Sequence, residues 1–122
     1  MSLSVTIQGR LPQLANGRMF WATRAKLVKG IKENVWAQMV TVRNEAGQPK
    51  AMEPRTLRIT AYVCGRAFDM DNLVANSKPI VDAAVASGWL AEDSPQWMSL
   101  EVTQKRVAHR SEERIVIEVS DG

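Results

Sequence analysis

Asp69, Asp71 and Asp93 are the residues of this chain whose type and spacing best suit chemistry. In an extended segment alternate side chains share a face, so Asp69 and Asp71 are expected to point one way and Met70 the other. An apolar stretch of helix length follows, after which the chain can return with Asp93 beside the pair. Three carboxylates facing one point make an oxygen-donor cage for a hard cation, Mg²⁺ or, as an alternative, Mn²⁺. Lys78 precedes Asp82 by four residues, the spacing that puts both on one face of a helix. As a structural device that pair is weak, worth about 0.3–0.5 kcal/mol when exposed.

The chemistry such a set supports is phosphodiester hydrolysis. It needs an activated water, a stabilised transition state and help for the departing oxygen, much of which divalent ions supply. Asp69, Asp71 and Asp93 are the expected metal ligands, and Lys78 the cation that steadies the transition state or leaving group. Other mechanisms lack their parts. Cys64 is the only cysteine and His109 the only histidine, which argues against a structural zinc site, a catalytic triad and a Cys–His nucleophile, and forbids an internal disulfide.

The net charge of +3 conceals a division along the chain. Residues 1–66 hold 11 Lys and Arg against 3 Asp and Glu, or +8, while residues 67–122 hold 5 against 10, or −5. A basic surface draws in phosphate backbones by counterion release, whereas an acidic cluster repels them unless divalent cations neutralise it. Arg10, Arg18, Lys26, Lys29 and Arg66 are the candidate phosphate contacts in the basic half. Taken singly, each serves equally well to keep a loop or helix face solvated. No apolar run approaches a membrane span and the amino terminus does not resemble a signal peptide, so a cytoplasmic protein is expected.

With 122 residues the chain is long enough for one domain and short for two. Leu3, Val5 and Ile7 alternate with polar residues, predicting a strand over residues 2–9. Trp21, Val28, Ile31, Val35 and Met39 recur as one buried stripe of a helix over residues 20–43, with Gly30 on its exposed side. Trp36, with Trp21, is read as a core or interface residue. A second strand over residues 55–66 carries Leu57, Ile59, Ala61 and Val63 inward and should deliver Asp69 and Asp71 to the sheet margin. Asp71 or Asn72 suits the cap of a helix over residues 73–87 that Gly88 ends. Pro79 either bends that helix, or Ser77 caps a fresh one near Lys78. Two last strands are expected over residues 97–107 and 114–120, with Leu100 and Val102 buried and residues 108–113 as a hairpin loop. The sum is an α/β (α+β) fold: a small mixed sheet of about four strands covered by two helices.

The ordered set Asp69-x-Asp71-Asn72, Lys78, Asp82, Gly88, Asp93-Ser94 resembles the RusA-like family of Holliday-junction endodeoxyribonucleases, small enzymes of phages and prophages. The likeness is dense from Asp69 to Ser94; Gly9-Arg10-Leu11-Pro12 and the basic segment with Trp21 are similar to the family's amino-terminal region. One departure is the five residues 73–77 before Lys78, more than the compact family pattern has. The resemblance implies a Mg²⁺-dependent endonuclease resolving four-way DNA junctions by paired nicks, with the matching lysine in the transition-state role. It also implies a homodimer, and paired nicks across a branched substrate agree, because twofold symmetry supplies two active sites. Two other readings stand beside it. One is a noncatalytic nucleic-acid-binding phage regulatory module; the other is a nuclease for flaps, forks or RNA.

Overall fold

The computed structural model describes residues 2–13 and 21–121. Its element order is strand β1 (Ser2–Gln8), helix α1 (Trp21–Glu45), strand β2 (Arg55–Cys64), helices α2 (Met70–Asn76) and α3 (Lys78–Ala86), strand β3 (Met98–Val107), a 3₁₀ turn (Arg110–Glu112) and strand β4 (Arg114–Asp121). This is the expected α+β fold with a four-stranded mixed sheet. Of the two forms expected for the helical stretch over residues 73–87, the broken one is found: a fresh helix begins at Lys78 after Ser77, with Pro79 in the first turn of α3 where its missing N–H costs nothing. Ser77 does not cap through its side chain; its hydroxyl donates to the Leu73 carbonyl at 2.8 Å.

The sheet order is β1-β4-β2-β3. β4 lies antiparallel to both β1 and β2, while β3 runs parallel to β2 at the edge. Residues 108–113 therefore do not close a hairpin, contrary to the sequence expectation: β4 passes β2 and inserts between it and β1. The burial of the strands explains the choice. Ile115, Ile117 and Val119 are buried and match the buried Leu57, Ile59 and Ala61 of β2, whereas β3 has no fully buried side chain. The strand with the continuous buried apolar face takes the centre, and the one without it the edge. Leu100, expected inside, is 37% exposed for that reason.

One face of the sheet meets the helices. Val35 and Met39 of α1, Leu73 of α2, Ile80 and Ala84 of α3 and the fully buried Trp89 complete the core. The Trp89 indole donates to the Met39 carbonyl at 2.8 Å, and its own carbonyl accepts from the buried Arg55 guanidinium at 3.0 Å. Gly88 ends α3 at φ +85°, a left-handed conformation suited to glycine. The apolar stripe of α1 is only half used. Trp21 is 83% exposed and Trp36 is 45% exposed, so neither is a core residue: the first turns of α1, which carry Trp21, have no described partner to cover them, and Trp36 borders an open hollow with Asp82, Ala83 and Ala86. Among the described residues no helix is long and apolar enough to cross a membrane.

Candidate functional site

The register fixes where the acidic motif falls. Gln8 pairs with Arg114, Tyr62 with Arg114, and Cys64 with Val107, so the ends of β1, β2 and β3 and the start of β4 share one margin. Residues 65–69 leave β2 there and lead into α2. The predicted delivery of Asp69 and Asp71 to the margin holds, but the predicted extended geometry does not. The helix begins at Met70, with Asp69 as its N-cap residue and Asp71 in its first turn. Residues two apart on a helix do not face each other, so strand alternation cannot align this pair. Neither Asp71 nor Asn72 is the cap, and the Asp69 side chain makes no capping bond. Both aspartates are exposed.

The turn that carries Asp69 is held from three sides. Gln104 of β3 accepts from the Phe68 N–H through Oε1 at 2.9 Å and donates to the Phe68 carbonyl through Nε2 at 2.7 Å. Arg10 donates to the carbonyls of Cys64 and Arg66, each at 2.9 Å, and lies 4.9 Å over the Phe68 ring. Glu113 accepts from Arg10 at 3.0 Å and from the Cys64 N–H at 3.0 Å. These donors, the Cys64 amide first and then Arg10, hold the Glu113 carboxyl below its ordinary value. Arg10 is therefore bound into the scaffold by its guanidinium. Beside it opens a cavity of about 280 Å³ lined by Gln13, Arg66, Phe68, Asp69 and Asn72. Asn76 of α2 donates to Gln13 at 2.7 Å, which ties the helix to the segment after β1.

A second group forms where α2 meets α3. The Lys78 ammonium donates to Asp93 and lies 3.3 Å from Asp82, which also pairs with Lys32 of α1 at 3.1 Å. The Asp93 hydrogen bond is the largest cause of a Lys78 pKa raised above its ordinary value, with Asp82 adding to it against partial desolvation. Lys78 thus stands charged between two carboxylates at the surface.

The structure joins Lys78, Asp82 and Asp93, and separately sets Asp69 at a cavity with Asn72 and Arg66. Among the described residues no group of three or more His, Cys, Asp or Glu side chains stands within reach of one ion. The donor chemistry still suits a hard cation: Asp69 and Asp71 offer only oxygens, both are exposed, and Mg²⁺ is commonly held by one or two carboxylates with water and substrate phosphate completing its shell. Of the expected phosphate contacts, Arg66 is exposed at the cavity rim, while Lys26 and Lys29 are exposed on α1, Lys29 beside Glu33 at 3.9 Å. Arg18 lies outside the described residues. Gln104 and Glu113 carried no signal in the sequence, because their contacts depend on strand neighbours far away in the chain. Comparison with known proteins finds no matching family model and no matching curated protein.

Proposed function

We propose that this chain is a RusA-like, metal-dependent endonuclease acting on branched DNA, with four-way junctions as the favoured substrate and a homodimer as the working form. The observation that carries the reading is the contact between Lys78 and Asp93, two members of the motif brought together from the start of α3 and from the loop after its end. Its companions Asp69 and Asp71 stand exposed at the sheet margin, Asp69 lining a cavity open to a phosphate.

Asp69 and Asp71 would hold a Mg²⁺ ion, which would supply Lewis acidity and lower the pKa of a bound water. The rest falls to this chain's own groups. Asp93 and Asp82 hold the Lys78 ammonium charged and oriented, and Lys78 neutralises charge growing on a phosphate oxygen or leaving group. Gln104 and Arg10 fix the turn from which Asp69 projects. Arg66 draws the backbone to the cavity.

A noncatalytic nucleic-acid-binding module is the second reading. It is favoured by one observation: the three motif aspartates do not form one group among the described residues. Matched labelled substrates separate the two. A four-way junction, flap, fork, linear duplex and RNA are incubated with Mg²⁺, Mn²⁺ or EDTA. Metal-dependent paired nicks confined to the junction support the resolvase; binding without turnover under either metal supports the module.

A further inference from the structure

The division into a basic first half and an acidic second half does not survive folding. Four of the five cations in the acidic half, Lys105, Arg106, Arg110 and Arg114, come from the end of β3, the 3₁₀ turn and the start of β4, the same sheet margin from which residues 65–69 lead to Asp69. Among the described residues several surface cations elsewhere are matched: Arg58 pairs with Glu101, Lys32 and Lys78 with Asp82, and Lys29 with Glu33, while Arg24, Lys26 and Lys50 have no such pair. Lys105, Arg106, Arg110 and Arg66 have no carboxylate within ion-pairing distance among those residues. An unmatched cluster of cations beside a proposed phosphodiester site calls for an anionic ligand with repeated charges.

Placement singles out Arg106. Gln104 and Arg106 register with Ala61 and Val63, whose side chains enter the core, so both lie on the helix-bearing face of β3. Gln104 grips Phe68, which puts the exposed Arg106, two residues further along that face, beside the turn that ends in Asp69. Lys105 projects from the opposite face, near Tyr62, where Arg114 lies 3.8 Å over the ring. Arg110 stands exposed in the turn between β3 and β4. The cations therefore wrap the end of the sheet from both faces.

We propose that Arg106 and Arg110, with Lys105, form a phosphate-binding rim that takes a nucleic-acid backbone and lays it across the Asp69 margin. Its link to Asp69 chemistry rests on the nuclease reading; the binding itself does not. Contacts of this kind are independent of base sequence and are read in the salt dependence of affinity.

The test is fluorescence anisotropy of a labelled four-way junction and a linear duplex in EDTA, from low to moderate KCl. It compares the parent with the double variant Arg106→Ala/Arg110→Ala and with Lys50→Ala. Lys50 is an exposed lysine at the opposite end, against Gly88. Thermal unfolding followed by circular dichroism checks that each variant is folded. The double variant is expected to bind about tenfold more weakly, and its log–log salt slope to fall by about 1.8, since each lost phosphate contact removes about 0.9. Lys50→Ala should match the parent. The proposal is overturned if the double variant keeps the parent's affinity and slope, if Lys50→Ala weakens binding as much, or if the parent binds neither DNA. Cleavage is scored separately with Mg²⁺. A parent that binds through the rim but never cuts leaves the rim standing and removes the nuclease, while undiminished binding and cutting by the double variant does the reverse.

Discussion

Gln104 clasps Phe68 as a neighbouring strand would, accepting from its N–H at 2.9 Å and donating to its carbonyl at 2.7 Å. One side chain thereby satisfies both backbone groups of the residue before Asp69, beyond the point where β2 ends. At a net ~0.5–1.5 kcal/mol for each hydrogen bond, Gln104→Ala is expected to lower stability by about 1–3 kcal/mol. Amide exchange should quicken over residues 65–70 more than over β4. Unchanged protection of that turn would show that it is held without Gln104.

Glu113 gives the molecule a pH-dependent tie. Its carboxyl pKa is lowered below 4.5 in the folded protein, chiefly by the Cys64 N–H and then by Arg10. A depressed carboxylate contributes stability that is complete above its unfolded pKa and fades as pH falls through the folded one. Acidification from neutral pH to below that window should therefore lower the Tm of the parent more than that of Glu113→Gln. Equal losses would contradict the assignment.

Gly88 sits at φ +85°, and a Cβ there would meet the Lys50 side chain at 2.8 Å. The lysine can move; the backbone conformation cannot be made comfortable for an L side chain. Gly88→Ala should cost about 1–3 kcal/mol in chemical denaturation. A loss much below that would mean that the end of α3 relaxes.

The parts of the molecule legible in its sequence are those written in local periodicity. Leu57, Ile59, Ala61 and Val63 announce β2, and Ile115, Ile117 and Val119 announce β4, because a half-buried strand needs that alternation. Which strands pair is not local information: residues 108–113 are short enough for a hairpin, yet the more apolar β4 displaces β3 from the centre. Trp21 fits the helical stripe but lies 83% exposed, since periodicity tells which way a residue faces and not whether anything faces it. The same limit applies at the site. Asp69-Met70-Asp71 reads as alternating strand or as helix start with equal ease, and the helix forms. Lys78 with Asp82 follows from the four-residue spacing, whereas Lys78 with Asp93 needed the turn of the chain at Gly88.

Lys78 remains a cation well beyond neutral pH, because Asp93 and Asp82 raise its pKa above 10.5. Lys78→Ala is expected to slow junction cleavage by about 10²–10³, the scale of losing one transition-state donor, with junction binding largely kept. The deficit should be constant from about pH 6 to about pH 9, since an amine with an ordinary or raised pKa does not titrate there. A deficit that grows or vanishes within that range would assign the titration, and the role, to another group.

The most direct test of the nuclease reading is cleavage of a labelled synthetic four-way junction by the parent and by Asp71→Asn, with Mg²⁺ or EDTA and a linear duplex as control. Paired, Mg²⁺-dependent nicks in the junction are expected from the parent, falling about a hundredfold or more in a variant that still folds and still binds. Equal cleavage by both proteins, or none by the parent with Mg²⁺ or Mn²⁺, would contradict the account.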